Sequence, residues 1–362
     1  MVFDRLGLFD TLDDFQHNLR AKQGAVPQGV PTGPRGGAPS KSKRNAREAI
    51  SRAVRKAPEV MVKISGSGKE SKQVLAHLTY ITRNGKIEAE NESGETLHGL
   101  DEVKELHQAW SELIGKRRAN GNQTVNVLFS MPAGTNPELL KEAAREFGRD
   151  RFANHDYVFV LHTPETDPDP DAPPHPHVHM CVRMRGHNGK RLARQKKDLQ
   201  EWRELFAEKL REKGIEAAAT PRDVRGVVRK GVKQPVYQAA KKDRSVVKAA
   251  TVREAAKAVL EGNASARPWE IRIATNQKAI RAGWLDLADA LDRTRAPVDG
   301  TLAEQIRTFV KTMPAPLTER QVIEADMRRL VQARVAVQDK KPGAQPATGE
   351  AATKRRDQGP AR

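Results

Sequence analysis

Apolar residues change period several times along the chain, and each change marks an element. Val60, Met61, Val62 and Ile64 make a strand-length run that ends in Ser65-Gly66-Ser67-Gly68, a turn. Over 70–83 the period lengthens. Val74, Leu75, Leu78 and Ile81 share one stripe, which predicts an amphipathic helix closed by Asn84-Gly85. Gln73, His77, Tyr80 and Asn84 fall on the opposite face, so Tyr80 points away from its own helix's core stripe. Val103, Leu106, Trp110 and Leu113 predict a second helix over 101–116. Thr124–Met131 and Tyr157–Thr163 read as strands, the latter ending at His162. Between them, Asn136-Pro137-Glu138 is a helix start, with a capping Asn, Pro at the first helical position and an early acid. A further helix over 197–213 turns Leu199, Trp202, Leu205, Phe206 and Leu210 inward. Strands interleaved with amphipathic helices give α/β or α+β and exclude an all-β fold.

One strand has an unusual second face. In His175-Pro176-His177-Val178-His179-Met180-Cys181-Val182-Arg183, alternation puts Val178, Met180 and Val182 on one side and His175, His177 and His179 on the other. Three neutral imidazoles side by side satisfy one another poorly, and three charged ones repel. A divalent metal resolves both problems. His162 supplies a fourth imidazole at the end of the preceding strand. Three of these leave open positions for a substrate oxygen, the catalytic arrangement; closure by all four is the structural one. An all-imidazole set accepts Mn, Zn, Ni or Co, and Mg at lower preference.

Charge narrows the substrate. Lys and Arg total 64 against 46 Asp and Glu, a formal charge of +18. That excess fits a polyanionic partner, most simply nucleic acid. The longest tight apolar runs, Val125–Phe129 and Tyr157–Leu161, are strand-length, so no membrane insertion is expected. The start, MVFDRLGLFD, does not read as a secretory signal, and the single cysteine, Cys181, allows no intramolecular disulfide, in keeping with a reducing cytoplasm.

Metal, basic chain and phosphodiester together require a nucleophile: water, or a tyrosine hydroxyl that forms a phosphotyrosine. Of the three tyrosines, Tyr80 is the candidate. Tyr157 lies in an apolar strand and Tyr237 in a basic stretch. Three readings stay open: a tyrosine transesterase, a metal-dependent water-using phosphodiesterase or nuclease, and a non-catalytic DNA-binding protein with a structural metal.

The motifs resemble a family. His162 followed by His175-Pro176-His177-Val178-His179, with Leu78-Thr79-Tyr80-Ile81-Thr82-Arg83-Asn84-Gly85-Lys86 upstream, is similar to the relaxases of conjugative and mobilisable plasmids, in the branch of the plasmid mobilisation nucleases and the T-DNA border endonuclease. The resemblance covers roughly 58–230 and includes Phe129–Thr135. It implies a central, mainly antiparallel sheet with helices on one face and the His metal site on the other. It implies Tyr80 as nucleophile, His162, His177 and His179 as ligands of a Mg or Mn ion, and His175 in support. The expected reaction is nicking and rejoining of one strand at a transfer origin through a 5′-phosphotyrosine. Single-stranded or supercoiled DNA, relaxosome accessory proteins and a type IV coupling protein are the implied partners, in the bacterial cytoplasm.

The chain departs from the family in one place. The acid expected two residues after the first His is replaced by Pro164, and the following gap is widened by Asp-Pro repeats. Glu165 or Asp167 could supply the carboxylate that orients an imidazole or helps deprotonate the tyrosine, and the expectation is placed on Glu165; Asp169 and Asp171 read as solvated loop. Arg83, Lys86, Arg222, Arg225, Arg229 and Lys230 are the expected DNA contacts, the last four within a stretch from Arg222 to Arg253 that has ten basic residues and two acids.

The expected organisation is a flexible basic segment over 1–57, with a short helix over 1–20, a Gly/Pro-rich linker over 21–40, and folded structure beginning near Glu59. A nuclease domain follows over 58–231, then a helical extension over 232–335 and a disordered basic tail over 336–362.

Overall fold

The computed structural model describes residues 41–113, 121–167, 173–229, 231–232, 234–262 and 266–339. The expected helix over 1–20, the linker, most of the tail, Lys230, Asp169 and Asp171 lie outside these residues. The chain divides into two compact units: Met1–Val227 with Lys278–Pro314, and Val228–Gln277 with Ala315–Arg362. Residues 278–314 of the expected helical extension thus group with the first unit.

Six strands form one sheet in the order β1-β4-β6-β5-β2-β3. They are β1 (Met61–Gly66), β2 (Ala89–Asn91), β3 (Thr96–Leu97), β4 (Thr124–Ser130), β5 (Tyr157–His162) and β6 (His177–Arg183). Every pairing is antiparallel. The first unit also holds helices α1 (Lys41–Val54), α2 (Ser71–Ile81), α3 (Gly99–Glu112), α4 (Pro137–Arg151) and α5 (Lys196–Glu212). Helices α6 (Gln234–Lys241), α7 (Val246–Leu260), α8 (Pro268–Asp292), α9 (Pro297–Thr312) and α10 (Glu319–Asp339) complete the chain. No helix among the described residues is long and apolar enough to cross a membrane.

The two faces of the sheet are filled differently. On one, Val62, Val127, Phe129, Phe159, Val178, Met180 and Val182 pack against Leu140, Ala144 and Phe147 of α4 and Trp202, Phe206 and Leu210 of α5. Phe129, Phe147 and Phe206 interlock at ring distances of 4.8 to 6.2 Å, edge-on or tilted. Helix α4 starts as the sequence dictates: the Asn136 side chain accepts from the backbone N–H groups of Glu138 and Leu139 at 3.0 and 3.1 Å. On the other face, Val158, Val160 and Cys181 are covered by Val74, Leu78 and Ile81 of α2 and Val103 and Trp110 of α3. The expected helix layer over one face is therefore joined by a second, partial layer beside the histidines.

Helix α2 ends abruptly. Arg83, Asn84 and Gly85 adopt positive φ values of 51°, 59° and 76°. At Gly85 a Cβ would sit 2.3 Å from the Leu100 backbone nitrogen, so only glycine fits. This left-handed stop swings Arg83 out of the helical path and back towards β5.

Two features depart from the sequence reading. Order begins before Glu59: Ile50, Ala53 and Val54 of α1 are buried with Trp284, Leu287 and Leu291 of α8 and Ile306 and Phe309 of α9. The short β2–β3 ladder also went unpredicted. Ala89-Glu90-Asn91 lacks an apolar pattern, and Glu90 is buried there against Arg145, Nε to Oε1 at 2.5 Å.

Candidate active site: three histidines and a tyrosine

Register brings the imidazoles together. His162 of β5 is directly opposite His177 of β6, and His179 follows two residues later on the same face. Ring centroids of His162 and His177, His162 and His179, and His177 and His179 are separated by 5.1, 4.8 and 5.1 Å, close to an equilateral triangle. One nitrogen from each lies within 4.8 Å of the others.

Burial keeps these rings neutral. Removal from water lowers His177 to about 4 and His179 to about 2, and also lowers His162. Neutral imidazole is the ligating form. The donor set fits a divalent metal on a second ground: Nδ1 of His179 is buried without a hydrogen-bond partner. The other two rings are oriented. Nδ1 of His177 contacts the His175 carbonyl at 3.2 Å, which gives His175 a supporting role through its backbone. Nδ1 of His162 contacts Oδ2 of Asp167 at 2.9 Å, and its Nε2 faces the Ile81 carbonyl at 2.6 Å. Ligation through Nε2 would exchange that carbonyl for the metal while Asp167 keeps the ring aligned.

Asp167, not Glu165, is the carboxylate of the site. Glu165 is exposed. Asp167 is fully buried at its side chain and binds the Arg83 guanidinium with both oxygens, at 2.8 Å each. A local turn places it: the Asp167 and Thr166 N–H groups donate to the Thr163 carbonyl at 2.9 and 3.3 Å, and the two threonine hydroxyls lie 2.9 Å apart. Linear spacing carried no signal that the acid five residues on, rather than three, turns back onto the ring.

Tyr80 stands beside the triangle. Its ring meets His179 edge-on at 6.2 Å and is 53% exposed, so a tyrosine next to two buried imidazoles and a partly buried one remains open to a large substrate. The Arg83 guanidinium lies 4.7 Å from the centre of that ring. Arg83 thus touches both the tyrosine and the carboxylate that orients His162. Its pKa is raised, first by the hydrogen bonds with Asp167. It was expected as a DNA contact; its bonds make it a brace within the site. His77, one turn earlier on the same helix face, has its ring 6.4 Å from Tyr80 and is lowered to about 4 by burial.

The remaining expected DNA contacts are spread. Lys86 and Arg222 are exposed. Arg225 is held by Glu59 at 3.2 Å and by the Thr220 carbonyl at 3.3 Å, fastening the start of the first strand rather than standing free for DNA. Arg229, in the second unit, lies 3.7 Å from Glu319.

The comparison with known families meets this geometry at Tyr80. Residues 80–215 match the relaxase model for the MobA/VirD2-like nuclease domain, a stretch that opens on Tyr80 and includes His162, Asp167, His177 and His179. This stretch of the chain is similar to the relaxase nuclease domain. Over 193 residues it is 26% identical to the T-DNA border endonuclease VirD2 of Rhizobium radiobacter, an alignment that covers 48% of this chain and 44% of that protein. The chain therefore spans less than half the length of this curated relative. A solved structure titled for the molecular basis of vancomycin resistance transfer in Staphylococcus aureus aligns with 45% of this chain and 98% of its own, at 13% identity and a TM-score of 0.30. Relaxase domains are metal-dependent as a class, and in this chain His162, His177 and His179 form a cluster that could hold an ion.

Proposed function

We propose that this protein is a DNA relaxase that cuts one strand at a plasmid origin of transfer and later rejoins it. The observation that carries this reading is the Tyr80 ring edge-on to His179, beside three imidazoles whose nitrogens lie within 4.8 Å of one another. The Tyr80 oxygen attacks the scissile phosphorus, the bond to the 3′ oxygen breaks, and that oxygen leaves as a 3′-hydroxyl. The DNA 5′ end stays on the tyrosine as a phosphodiester, so the reverse attack reseals the strand without an added energy source. His162, His177 and His179 would hold a divalent ion, Mg or Mn, which would supply neutralisation of the negative charge on the phosphate. Asp167 holds His162 in its tautomer, and Arg83 ties Asp167 to the face of Tyr80. Cutting is strand-specific because one tyrosine serves one phosphate. Accessory relaxosome proteins and a type IV coupling protein are the partners this role requires, and the cytoplasm of a bacterium is its place.

Incubation with single-stranded oligonucleotides spanning a transfer origin, with Mn, tests the reading. A protein–DNA adduct resistant to denaturation is expected, and Tyr80→Phe abolishes it. Cleavage by Tyr80→Phe at the wild-type rate would establish water as the nucleophile instead.

A further inference from the structure

The imidazole triangle occupies one end of a face that is only partly roofed. On the β5 side, Val158, Val160 and Cys181 lie under α2 and α3. On the β4 side, no such cluster forms among the described residues. Residues opposite one another in an antiparallel pair share a face, so the register can be followed outwards. His177 faces Ser130, and Ser130 faces Met61; His179 faces Leu128, and Leu128 faces Lys63. Two rows therefore run from the metal ligands across β4 to the edge strand β1. Their outer ends are open, Met61 being 48% exposed and Lys63 exposed; in the middle Ser130 is buried, while Leu128 between Lys63 and His179 is partly exposed, so the Lys63 row is the more open of the two. Ser65, where the β1–β4 register shifts, is also exposed, and its hydroxyl donates to the Asn126 carbonyl at 3.2 Å.

Lys63 lies two strand spacings from His179, about 10 Å at ~4.8 Å per strand. An extended ammonium at that position is within reach of a phosphate neighbouring the one on the triangle. Among the described residues the helices close the face on the other side, so a DNA strand that lays a phosphate against the imidazoles continues over β4 and β1. We infer that the histidine-side face of β4 and β1 is the track for the DNA strand next to the scissile phosphate, with Lys63 as a phosphate contact and Met61 as the apolar surface beside it. This rests on the relaxase reading of the triangle and adds to it where the substrate runs.

The test uses Tyr80→Phe protein, which leaves the ring in place and removes the nucleophile, with a fluorescein-labelled oligothymidylate. Affinity is followed by anisotropy across a salt series. Each neutralised phosphate on a single strand contributes about 0.7 to the slope of log K against log salt. Lys63→Gln is expected to lower the slope by that amount, and Lys63→Arg to restore it. Lys197→Gln, on the helix α5 that covers the opposite face, keeps the parent slope. A parent slope and affinity in Lys63→Gln overturn the track. Failure of the Tyr80→Phe protein to bind the oligonucleotide overturns both the track and single-stranded DNA as substrate. A wild-type adduct together with an unchanged Lys63→Gln slope overturns the track alone.

Discussion

The two sides of β6 show one strand doing opposite jobs. Val178, Met180 and Val182 enter an apolar cluster with the phenylalanines of α4 and α5. His177, alternating with them, is nearly as well removed from water and His179 is partly so, yet what they meet is other imidazoles. The first side is filled by shape and every contact stabilises. The second holds a buried nitrogen without a partner and rings that burial keeps uncharged. Stability on that side is surrendered in the metal-free protein, and the arrangement makes sense only with something to bind. The contrast teaches that buried depth alone does not separate core from site; the chemistry of the buried atoms does.

The sharpest separation of the two sides comes from Tyr80→Phe. Covalent adduct formation should fall on the order of 10⁴-fold or more, with the thermal midpoint unchanged, because the hydroxyl sits on an exposed ring. Phe147→Ala should do the reverse, with about 3–5 kcal/mol lost in urea unfolding from a ring that touches Phe129, Phe152 and Phe206. His179→Ala should stay within about 1 kcal/mol of the parent in the metal-free state, because it removes a polar atom that has no bond to lose. An equal loss in the two unfolding curves would break the comparison.

Asp167→Asn comes next. It keeps the shape of the carboxylate and removes the charge that serves both His162 and Arg83, so Mn affinity by calorimetry should weaken about 10–100-fold. Glu165→Gln should leave it unchanged, since that side chain is exposed. The smallest effect is on pH. Folded His177 near 4 and His179 near 2 lie below the ordinary 6.5. Between these values the unfolded chain binds more protons than the native one, so metal-free stability falls as pH drops through about 6.5 and is unaffected by these groups above it. A thermal midpoint that rises from pH 7 to pH 5 would contradict the neutral, buried assignment.

Much of this was legible in the residues. Period-2 and helical spacing located β1, β4, β5, β6, α2, α4 and α5, because each buries one regular stripe. The pairing of a His-rich strand face with Tyr80 on the polar side of α2 was legible for the same reason. What was missed lacks such a stripe. Ala89–Asn91 enters the sheet through the Glu90–Arg145 ion pair, which no periodicity announces. Helix α1 reads as a charged arm until α8 and α9, far along the chain, are seen to bury Ile50 and Val54. Arg83 was expected among the DNA contacts because its charge is visible in the sequence and its backbone twist is not.

The turn at Thr163–Asp167 has a consequence for how such proteins diversify. The acid that braces His162 lies five residues along the chain from it, its backbone turned by the Thr163 carbonyl and its carboxylate gripped by Arg83. Two elements far apart in the chain, the stop of α2 and the end of β5, must therefore meet for the ring to keep its orientation. Spacing within the Thr163–Asp167 turn and the left-handed twist at Arg83 are thus linked, and a change in one calls for a matching change in the other.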